Sequence, residues 1–418
     1  MNDIHRIAVI GLGYIGLPTA AVFAANGIEV VGVDINKAAV DSINRGRPHF
    51  GEPNLNALVR RVVEAGALRA TLDAEPADAF IIAVPTPITG HGIAARPDIS
   101  YVEAAAREIA PVLAAGNLVI LESTSPVGTT ERIAAILAEL RPDLGFPQDR
   151  GDLADVQIAH CPERVLPGRI LEEVVNNPRV IGGMTRKCAQ RALALYKVIV
   201  RGDCRLTTAR TAELAKLSEN AFRDVNIAFA NELANICDTL SINVWELIAM
   251  ANLHPRVNIL QPGPGVGGHC IAVDPWFIVA SAPEQARLIT QARLINDARP
   301  GQIRDQVRAA AAAAAIARPV IACLGLSYKR DVDDLRESPA VDVVRLLGEA
   351  GFADLAVVEP HIARLPAELA AVGARLEDFD RALADADIVL LLVDHMGFRQ
   401  VDRGRLQGKI VIDTRGVW

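Results

Sequence analysis

The chain has 418 residues, of which 51% are hydrophobic, and carries a formal net charge of −7. Its apolar runs, such as Ile388–Val393, lie far below the ~20 residues of a membrane-spanning helix, and the N-terminus has no signal-peptide core. Six cysteines without a CxxC pair argue against a disulfide framework or a zinc site, and the acidic balance argues against a nucleic-acid surface. We therefore expect a soluble cytoplasmic protein with no metal, no membrane association and no nucleic-acid partner.

The first third of the chain alternates short apolar runs with amphipathic segments. Runs typical of buried parallel strands lie at residues 6–11, 29–34, 78–85 and 117–124. Because helical segments separate these runs, the pattern predicts a doubly wound α/β sheet.

The middle of the chain is predicted to be helical. Residues 203–254 contain no glycine and no proline, and the seven alanines at 309–315 strongly favour a helix. Strand-like runs then return at residues 319–326, 353–360, 387–394 and 409–416. The chain is therefore predicted to contain two α/β domains joined by a helical centre.

A glycine-rich turn, GLGYIG, follows the first predicted strand and opens a helix. Its glycines allow a tight turn and the close approach of a pyrophosphate to the helix N-terminus. Asp34 ends the second predicted strand, where an acid meets the adenosine ribose hydroxyls and disfavours the 2′-phosphate of NADP. The pattern predicts NAD as cofactor, with the binding residues Gly11, Gly13, Tyr14, Ile15, Gly16 and Asp34.

Three threonines follow strand-like runs, at the positions where ligands bind in open α/β sheets. Thr86 lies in VPTP, and Thr124 and Thr130 lie in ESTSPVGTT. Their hydroxyls either line the cofactor crevice or cap helices, which Ser and Thr commonly do. They are cofactor-binding candidates.

The predicted central helix carries a polar face. Lys216 and Asn220 are spaced i,i+4, and Arg223 continues the same face. The face is either solvated or lines a crevice. The apolar residues that flank it suggest a helix packed on more than one side, which favours the crevice. A lysine in a crevice could transfer protons or stabilise a developing oxyanion.

Charged residues also lie in other segments outside the apolar runs. In a net-acidic protein, arginines beside strand ends are candidates for phosphate binding, although lone basic residues are usually surface charges. Cys161, which lies nearby in one such segment, is more typical of a small core residue than of a nucleophile. The charged candidates are Glu163, Arg164, His254, Arg256, Lys329 and Arg336.

The segment GPGVGGHCIAVDPWF places Cys270 among glycines, with Asp274 four residues later. It is not a P-loop, since no Lys-Ser/Thr follows the glycines, and His269 beside the cysteine lacks further metal ligands. It is either a glycine-rich turn with an incidental thiol, or a nucleophile kept accessible by small neighbours, with Asp274 orienting water or a base.

A nicotinamide cofactor together with a thiol nucleophile suggests a particular reaction. Hydride transfer turns an alcohol into an aldehyde, and a thiolate can add to that aldehyde. The resulting thiohemiacetal gives up a second hydride and becomes a thioester, which water hydrolyses to an acid. One site could therefore complete a four-electron oxidation.

With these residues assembled, the chain resembles the UDP-glucose/UDP-N-acetylmannosamine dehydrogenase family over essentially its whole length. The matching segments, in order, are GLGYIGLP, STSPVG, KLSENAFRDVNIAFANEL, GVGGHCIAVDP and YKRDVDDLRES. The resemblance implies an α/β fold with two Rossmann-like doubly wound domains, a long central helix and dimerisation through that helix. It implies an NAD-binding domain at 1–202, a central helical and dimerisation domain with the cysteine loop at 203–300, and a UDP-sugar-binding domain at 301–418.

The resemblance also implies roles for individual residues. Cys270 would be the nucleophile, with Lys216, Asn220 and Asp274 as its acid–base and oxyanion partners, and Glu163 would act in hydrolysis or positioning. Arg336 would contact the cofactor, and Arg256 would reach substrate in its own or a neighbouring subunit. The implied substrate-binding residues are Arg164, Val165, Lys216, Asn220, Arg223, His254, Arg256, Gly267, Tyr328, Lys329 and Arg415.

Two departures indicate the substrate branch. Where the glucose branch has PEFLAEG this chain has PERVLPG, so Pro167 replaces a second glutamate, and Val273 replaces a lysine before the loop aspartate. Both segments resemble the N-acetylhexosamine branch. We expect NAD-dependent oxidation of UDP-N-acetyl-D-mannosamine at C6 by a homodimer or higher homo-oligomer, with UDP-N-acetylglucosamine as the alternative substrate. A two-electron β-hydroxyacid dehydrogenase would not account for the cysteine loop, and the intact Lys216, Asn220 and Cys270 argue against a non-catalytic sensor.

Overall fold

The computed structural model describes residues 4–90, 92–166, 168–268 and 270–418, which form two compact units. The first unit comprises residues 4–90 and 95–218, and the second comprises residues 92–94 and 219–418. Among these residues, no helix is both long enough and apolar enough to cross a membrane.

The first unit is built on a wide, mostly parallel sheet. Its strands are β1 (Arg6–Ile10), β2 (Glu29–Val33), β3 (Leu68–Thr71), β4 (Ala79–Ile82), β5 (Ile88–Thr89), β6 (Arg96–Pro97), β7 (Leu118–Leu121), β8 (Gln157–His160), β9 (Arg179–Gly183) and β10 (Cys204–Thr208). Eight of them pair in the order β10-β9-β8-β7-β4-β1-β2-β3, and β5 and β6 form a separate antiparallel ribbon. In the large sheet only the β8–β9 pair is antiparallel among the described pairings.

Alternate residues of the central strands belong to two different apolar clusters. On β1, Ile7 and Val9 pack in one cluster, and Ala8 and Ile10 pack in the other. Because successive side chains of a strand point to opposite faces, both faces of the sheet are buried. The helices of this unit are α1 (Gly16–Ala25), α2 (Lys37–Asn44), α3 (Leu55–Glu64), α4 (Ser100–Ile109), α5 (Thr129–Leu140), α6 (Pro147–Arg150), α7 (Ile170–Asn176) and α8 (Arg186–Tyr196).

The helical prediction for residues 203–254 holds for most of that stretch but not for its start. Helix α9 (Ala209–Leu240) and helix α10 (Val244–Ala251) follow the prediction, whereas Cys204–Thr208 is the edge strand β10. This segment satisfies its backbone by pairing in parallel with β9, and its two threonines suit a strand better than a helix. Tertiary pairing therefore overrides the helical pattern there.

The second unit carries a smaller, all-parallel sheet. Its strands are β11 (Val320–Leu324), β12 (Asp354–Val358), β13 (Ala374–Leu376), β14 (Ile388–Leu391) and β15 (Ile410–Asp413), in the order β13-β12-β11-β14-β15. Apolar clusters again lie on both faces, since Ile321 and Cys323 pack in one and Ala322 and Leu324 in the other. The remaining helices are α11 (Asp274–Ser281), α12 (Arg287–Ala313), α13 (Pro339–Glu349), α14 (Ala367–Ala371), α15 (Phe379–Asp385) and α16 (Met396–Arg399). The predicted fold class, two Rossmann-like sheets with a helical middle region, is confirmed.

Candidate active site

The glycine turn after β1 has room for a ligand at one glycine and no room for a side chain at the other two. Gly11 has a φ of +91°, and a Cβ there would lie 2.6 Å from the carbonyl oxygen of Ala83. A Cβ on Gly16 would lie 1.8 Å from the Gly11 carbonyl oxygen, whereas a Cβ on Gly13 would meet no atom within 4 Å. The bare backbone at Gly13 therefore fits a pyrophosphate at the start of α1.

Asp34 is held at the end of β2 by two backbone N–H groups. Its Oδ2 accepts from the N–H of Leu12 at 2.9 Å, and its Oδ1 accepts from the N–H of Asn36 at 2.8 Å. The residue is only half-buried, so its oriented carboxylate can accept hydrogen bonds from the ribose hydroxyls of NAD. On the preceding turn, Tyr14 is 45% exposed and Ile15 is half-buried.

The three candidate threonines differ in their surroundings. Thr86 and Thr124 are half-buried beyond the ends of β4 and β7, where a ligand could reach them. Thr130 is 0% exposed, and its hydroxyl donates to Oε1 of Glu213 at 2.6 Å. The same carboxylate accepts the N–H groups of Thr130 and Gly128 at 2.8 and 2.7 Å, so Glu213 caps α5. Thr130 therefore also holds the start of α5, and its contact with the cofactor stays a prediction.

Helix α9 presents the predicted polar face. Lys216 and Asn220 are half-buried and one turn apart, while Arg223 is exposed. The alternative of an entirely solvated stripe fits Arg223 but not the first two residues.

The cysteine loop brings three predicted residues together within the second unit. Cys270 is exposed, and its carbonyl oxygen accepts the N–H of Asp274 at 2.9 Å. Asp274 begins α11, is 3% exposed, and accepts a hydrogen bond of 2.5 Å from Nδ2 of Asn220. An amide and a carboxylate that are 54 positions apart in sequence therefore meet next to the thiol's loop.

The loop glycines have a packing role that the sequence did not indicate. A Cβ on Gly267 would lie 2.4 Å from the carbonyl oxygen of Glu337 and 2.9 Å from Cβ of Tyr328. Gly268 has a φ of +82°, and a Cβ there would lie 3.0 Å from the Tyr328 ring. These glycines therefore let the loop pack against residues 328–337. His269 lies outside the described residues.

Tyr328 lies beside the cysteine loop and connects it to the next two candidates. Burial, followed by the Asp334 carboxylate and Cys270, raises the pKa of Tyr328. Nζ of Lys329, a half-buried residue, lies 5.5 Å from the centre of the Tyr328 ring. Arg336 is exposed, and its Nη2 donates to Oδ2 of Asp334 at 2.6 Å. Its guanidinium is thus engaged by a neighbouring carboxylate, and its contact with the cofactor stays a prediction.

The other basic candidates of the second unit divide into two groups. Arg415 reaches the start of the glycine-rich segment, since a Cβ on Gly263 would lie 2.6 Å from its Nη1, and its Nε donates to Asp394 at 3.2 Å. His254 and Arg256 are exposed in the segment after α10, where Nδ1 of His254 accepts the N–H of Arg256 at 3.3 Å. They lie on the surface of this unit.

Glu163 belongs to a buried ionic cluster in the first unit. It is 8% exposed, its Oε1 accepts the N–H of Arg164 at 2.8 Å, and its Oε2 bonds to Nη2 of Arg179. Nη1 of Arg179 donates to Oε1 of Glu122 at 3.2 Å, and the Tyr196 hydroxyl donates to the same oxygen at 3.0 Å. Glu122, Arg179 and Tyr196 were not among the predicted residues. The only signal for Glu122 and Arg179 was a charge beside an apolar strand, and Tyr196, on α8, had none.

This cluster has an altered proton affinity. Burial, reinforced by the Glu163 carboxylate, raises the pKa of Glu122 to about 7. Burial also raises the pKa of Cys161, which is 0% exposed. Cys161 is therefore a core residue, as predicted, since the thiolate is the reactive form of cysteine.

The rest of the PERVLPG segment is partly engaged in packing. Arg164 is half-buried, and its Nη2 donates to the carbonyl oxygen of Pro178. Val165 is half-buried and packs against the apolar cluster that contains Ile7. Pro167, one of the two departures on which the predicted substrate branch rests, lies outside the described residues.

The parallel sheet, the glycine turn and Asp34 together define a Rossmann-type dinucleotide-binding protein. Besides the dinucleotide-binding sheet, the chain has a helical centre and a second Rossmann-like sheet. The chain belongs to the UDP-glucose/GDP-mannose dehydrogenase family: residues 5–200 match the NAD binding domain, 210–298 the central domain and 322–418 the UDP binding domain. The predictions of an NAD-dependent dehydrogenase and of NAD as cofactor are confirmed.

Individual relatives carry two kinds of name. The chain is 60% identical over 416 residues to an NDP-N-acetyl-D-galactosaminuronic acid dehydrogenase of Ralstonia nicotianae, covering 100% of this chain and 97% of that protein. It is 56% identical over 418 residues to a UDP-N-acetyl-D-mannosamine dehydrogenase of Escherichia coli, covering 99% of both. Among solved structures, a UDP-D-ManNAc dehydrogenase from Pyrococcus horikoshii matches with a TM-score of 0.88 and 40% identity, covering 99% of this chain and 96% of that one.

Proposed function

We propose that the protein oxidises C6 of a UDP-N-acetylhexosamine to the carboxylate, with UDP-N-acetyl-D-mannosamine as the preferred substrate. The observation that carries the proposal is the exposed Cys270 beside the hydrogen-bonded Asn220–Asp274 pair, in a chain of this family. Overall, the primary alcohol, two NAD⁺ and one water give the carboxylate, two NADH and three protons. NAD supplies a hydride acceptor for each of the two oxidation steps.

The proposed roles of the residues follow the order of the reaction. The Cys270 thiolate adds to the C6 aldehyde, forming a C–S bond, and the aldehyde oxygen takes up a proton. Lys216 and Asn220 stabilise the oxygen that becomes negative in this step. Loss of the second hydride leaves a thioester, and attack by water breaks its C–S bond and regenerates the thiol.

Asp274 is the better candidate for positioning the hydrolytic water. Its carboxylate lies in the same unit as Cys270 and is held by Asn220 at 2.5 Å. Glu163, by contrast, has one oxygen bonded to Arg179 and the other to the N–H of Arg164. We therefore assign Glu163 to holding the segment that carries Arg164 and Val165.

The domain division is proposed as residues 1–202, 203–300 and 301–418, and the three family matches at 5–200, 210–298 and 322–418 support it. The first part would bind NAD, the central part would carry the dimer contact and the cysteine loop, and the last part would bind the UDP-sugar. The proposed place of action is the cytoplasm, where a reducing environment would keep the Cys270 thiol free.

The first prediction concerns the substrate. Purified protein should release two NADH for each UDP-N-acetyl-D-mannosamine, and kcat/KM for UDP-glucose should be at least about 100-fold lower, because a site that hydrogen-bonds an acetamido group penalises a substrate without one. NADH absorbance, with the UDP-sugar as the limiting reagent, gives both quantities. One NADH per sugar would instead indicate a two-electron dehydrogenase.

A galacto-configured substrate is the second candidate, because the relatives at 60% identity are named for N-acetyl-D-galactosaminuronic acid. The same assay therefore includes UDP-N-acetylgalactosamine, UDP-N-acetylglucosamine and UDP-glucose. A higher kcat/KM for UDP-N-acetylgalactosamine would replace the manno assignment and leave the reaction type unchanged.

We also propose that the protein forms a homodimer through α9. Phe222, Phe229 and Ile236 are 69%, 49% and 47% exposed and recur every seven residues along this helix. A large apolar stripe at heptad spacing is costly to leave in water and suits packing against a second copy. An isologous dimer would bury the stripe of both copies at once.

The second prediction tests this stripe. Phe229→Glu should convert the protein to a monomer, because each copy would have to bury an unpaired carboxylate in the apolar contact. Light scattering after gel filtration measures the mass. Leu153→Glu, at a residue that is 86% exposed in the first unit, is the matched control and should leave the mass unchanged. A Phe229→Glu protein with wild-type mass would exclude this face as the dimer contact.

A further inference from the structure

The turn after β11 in the second unit has the same backbone form as a dinucleotide-binding turn. Gly325 has a φ of +91°, and its N–H donates to the carbonyl oxygen of Val358 at 2.8 Å. The next N–H, that of Leu326, donates to Oε2 of Glu359 at 2.7 Å. An acid that follows the neighbouring strand therefore holds the turn.

The corresponding turn of the first unit shows what differs. Gly11 also has a φ of +91° and donates to Val33 at 2.8 Å, and Leu12 donates to Asp34 at 2.9 Å. Asp34 stays half-buried, but Glu359 is 4% exposed. The acid of the second unit is therefore buried under its own loop, where it cannot accept hydrogen bonds from a ribose.

Both oxygens of the Glu359 carboxylate accept hydrogen bonds from the protein. Besides Leu326, its Oε2 accepts from the N–H of Ser327 at 3.1 Å and from Nε2 of His395 at 3.0 Å, and its Oε1 accepts from the N–H of His361 at 3.0 Å. Burial acts in the opposite direction, but the hydrogen bonds from His395 and the backbone lower the pKa of Glu359. It is thus an ionised acceptor for this loop.

His395 connects Glu359 to the far end of the same loop. Its Nδ1 accepts the N–H of Asp331 at 2.9 Å, so Nε2 carries the proton donated to Glu359. The residue is 1% exposed. The loop also closes on itself, because the Ser327 hydroxyl donates to the carbonyl oxygen of Lys329 at 2.7 Å. One imidazole and one carboxylate thus fix both ends of residues 326–331.

The three segments meet where a ligand would bind. Strands β12, β11 and β14 are neighbours, and the acid, the loop and the histidine follow their respective carboxyl ends. This is the position at which open α/β sheets bind ligands. The fixed loop carries Tyr328 and Lys329, the two candidates for substrate contact at this edge.

We propose that Glu359 and His395 are positioning residues that hold the 326–331 loop in the form that binds the uridine diphosphate part of the substrate. They act through the loop and do not touch the substrate. The inference rests on the proposed function, since it assumes that Lys329 and Tyr328 contact a UDP-sugar. Preorganising the loop removes the cost of ordering it when the ligand binds.

A metal site is the other interpretation of this cluster. Asp331, His361 and His395 each place one potential ligand atom within 4.8 Å of the others. Both ring nitrogens of His395 are already engaged, one by the Asp331 N–H and one by Glu359. A metal would have to displace the first of these bonds, so the hydrogen bonds favour the positioning role.

The third prediction uses three substitutions of His395 in the full-length protein. His395→Ala should weaken the binding of free UDP about tenfold or more, because ordering a loop of this kind on binding costs on the order of 1.4 kcal/mol. NAD affinity should stay within about twofold of wild type, whereas a general loss of folded structure would not leave NAD binding intact. His395→Asn keeps an acceptor near Nδ1, and His395→Gln keeps a donor near Nε2. Each of these two variants should lose less UDP affinity than His395→Ala. Titration calorimetry with UDP and with NAD measures both affinities.

Hydrogen exchange distinguishes a loop that has lost its order from a loop that has lost a contact with UDP. The amide of Asp331 should exchange faster in His395→Ala, whereas in Lys329→Ala UDP binding should weaken with this exchange unchanged. Unaltered UDP affinity in a folded His395→Ala protein would overturn the positioning role while leaving the proposed function intact. If wild-type protein binds no UDP, the proposed function fails and this inference fails with it. Loss of UDP binding after EDTA treatment, restored by zinc, would overturn the positioning role in favour of a metal site.

Discussion

The Cys270→Ala protein should form no detectable uronate from UDP-N-acetyl-D-mannosamine and NAD, while binding NAD as tightly as wild type. Without the thiolate neither the thiohemiacetal nor the thioester can form, so kcat for the acid should fall by about 10⁴-fold or more. The glycine turn and Asp34 lie in the other unit and are untouched by the change. Chromatography of the reaction products and NAD titration of the same sample measure the two effects.

A second cysteine provides the matched control. Cys204 is half-buried on β10 and has no proposed role, so Cys204→Ala should retain both activity and NAD affinity. Undiminished acid production by Cys270→Ala would exclude the covalent mechanism. Weakened NAD binding in that variant would show that the substitution disturbs more than the nucleophile.

The alternating pattern made the fold predictable. Central parallel strands are buried on both faces, so runs such as residues 6–11 and 387–394 are almost wholly apolar and stand out from the helices. The edge strands were harder. Strand β3 has only four residues, and β10 lies in a stretch with no helix breaker, so its pairing with β9 decides its structure. Local sequence carries little information about such pairings.

The site was predictable where the chemistry and the backbone impose the same residue. Gly11 and Gly16 have no room for a side chain, and Asp34 must follow β2 to reach a ribose. Thr130 shows the limit of this reasoning. A hydroxyl just after a strand suits a ligand site and a buried cap equally, and Glu213, the residue that Thr130 contacts in the structure, is 83 positions away.

The same limit applies to the buried cluster around Glu163. Glu122 and Arg179 are separated by 57 positions, and each one alone looks like an ordinary surface charge at a strand end. Only the order of the strands reveals that they meet. The sequence therefore indicated that Glu163 matters but not that Arg179 holds it.

That cluster gives a second large effect. Arg179→Met should destabilise the first unit by about 3–5 kcal/mol at pH 8, because it leaves the buried carboxylates of Glu122 and Glu163 without their cation. Arg179 is 4% exposed, its guanidinium lies 4.4 Å from the centre of the Tyr196 ring, and methionine keeps much of its apolar volume. The loss of stability should therefore come mainly from the unpaired buried carboxylates and not from lost packing.

The pH dependence identifies the charge responsible. In wild type, burial and Glu163 raise the pKa of Glu122 from 4.5 to about 7, so the folded protein binds more protons than the unfolded chain between these values. This group's contribution to the free energy of unfolding therefore falls as pH rises through that window and then levels off. Removing Arg179 takes away an interaction that lowers the pKa of Glu122, so the fall should continue above pH 7. The variant should be closest to wild type near pH 5.

Hydrogen exchange of the β7 and β8 peptides, residues 118–121 and 157–160, measures this stability within the first unit. Glu122→Gln keeps an acceptor for Arg179 and Tyr196 but removes the titrating proton. In this variant the stability measured by exchange should therefore lose the wild-type fall between about pH 5 and 7. Adding Glu122→Gln to Arg179→Met should recover part of the lost stability at pH 8, since only one buried carboxylate then lacks a partner. An exposed control, Glu64→Gln, should change neither quantity. Equal destabilisation of Arg179→Met at pH 5 and pH 8 would mean that lost packing, rather than the unpaired carboxylates, is the cause.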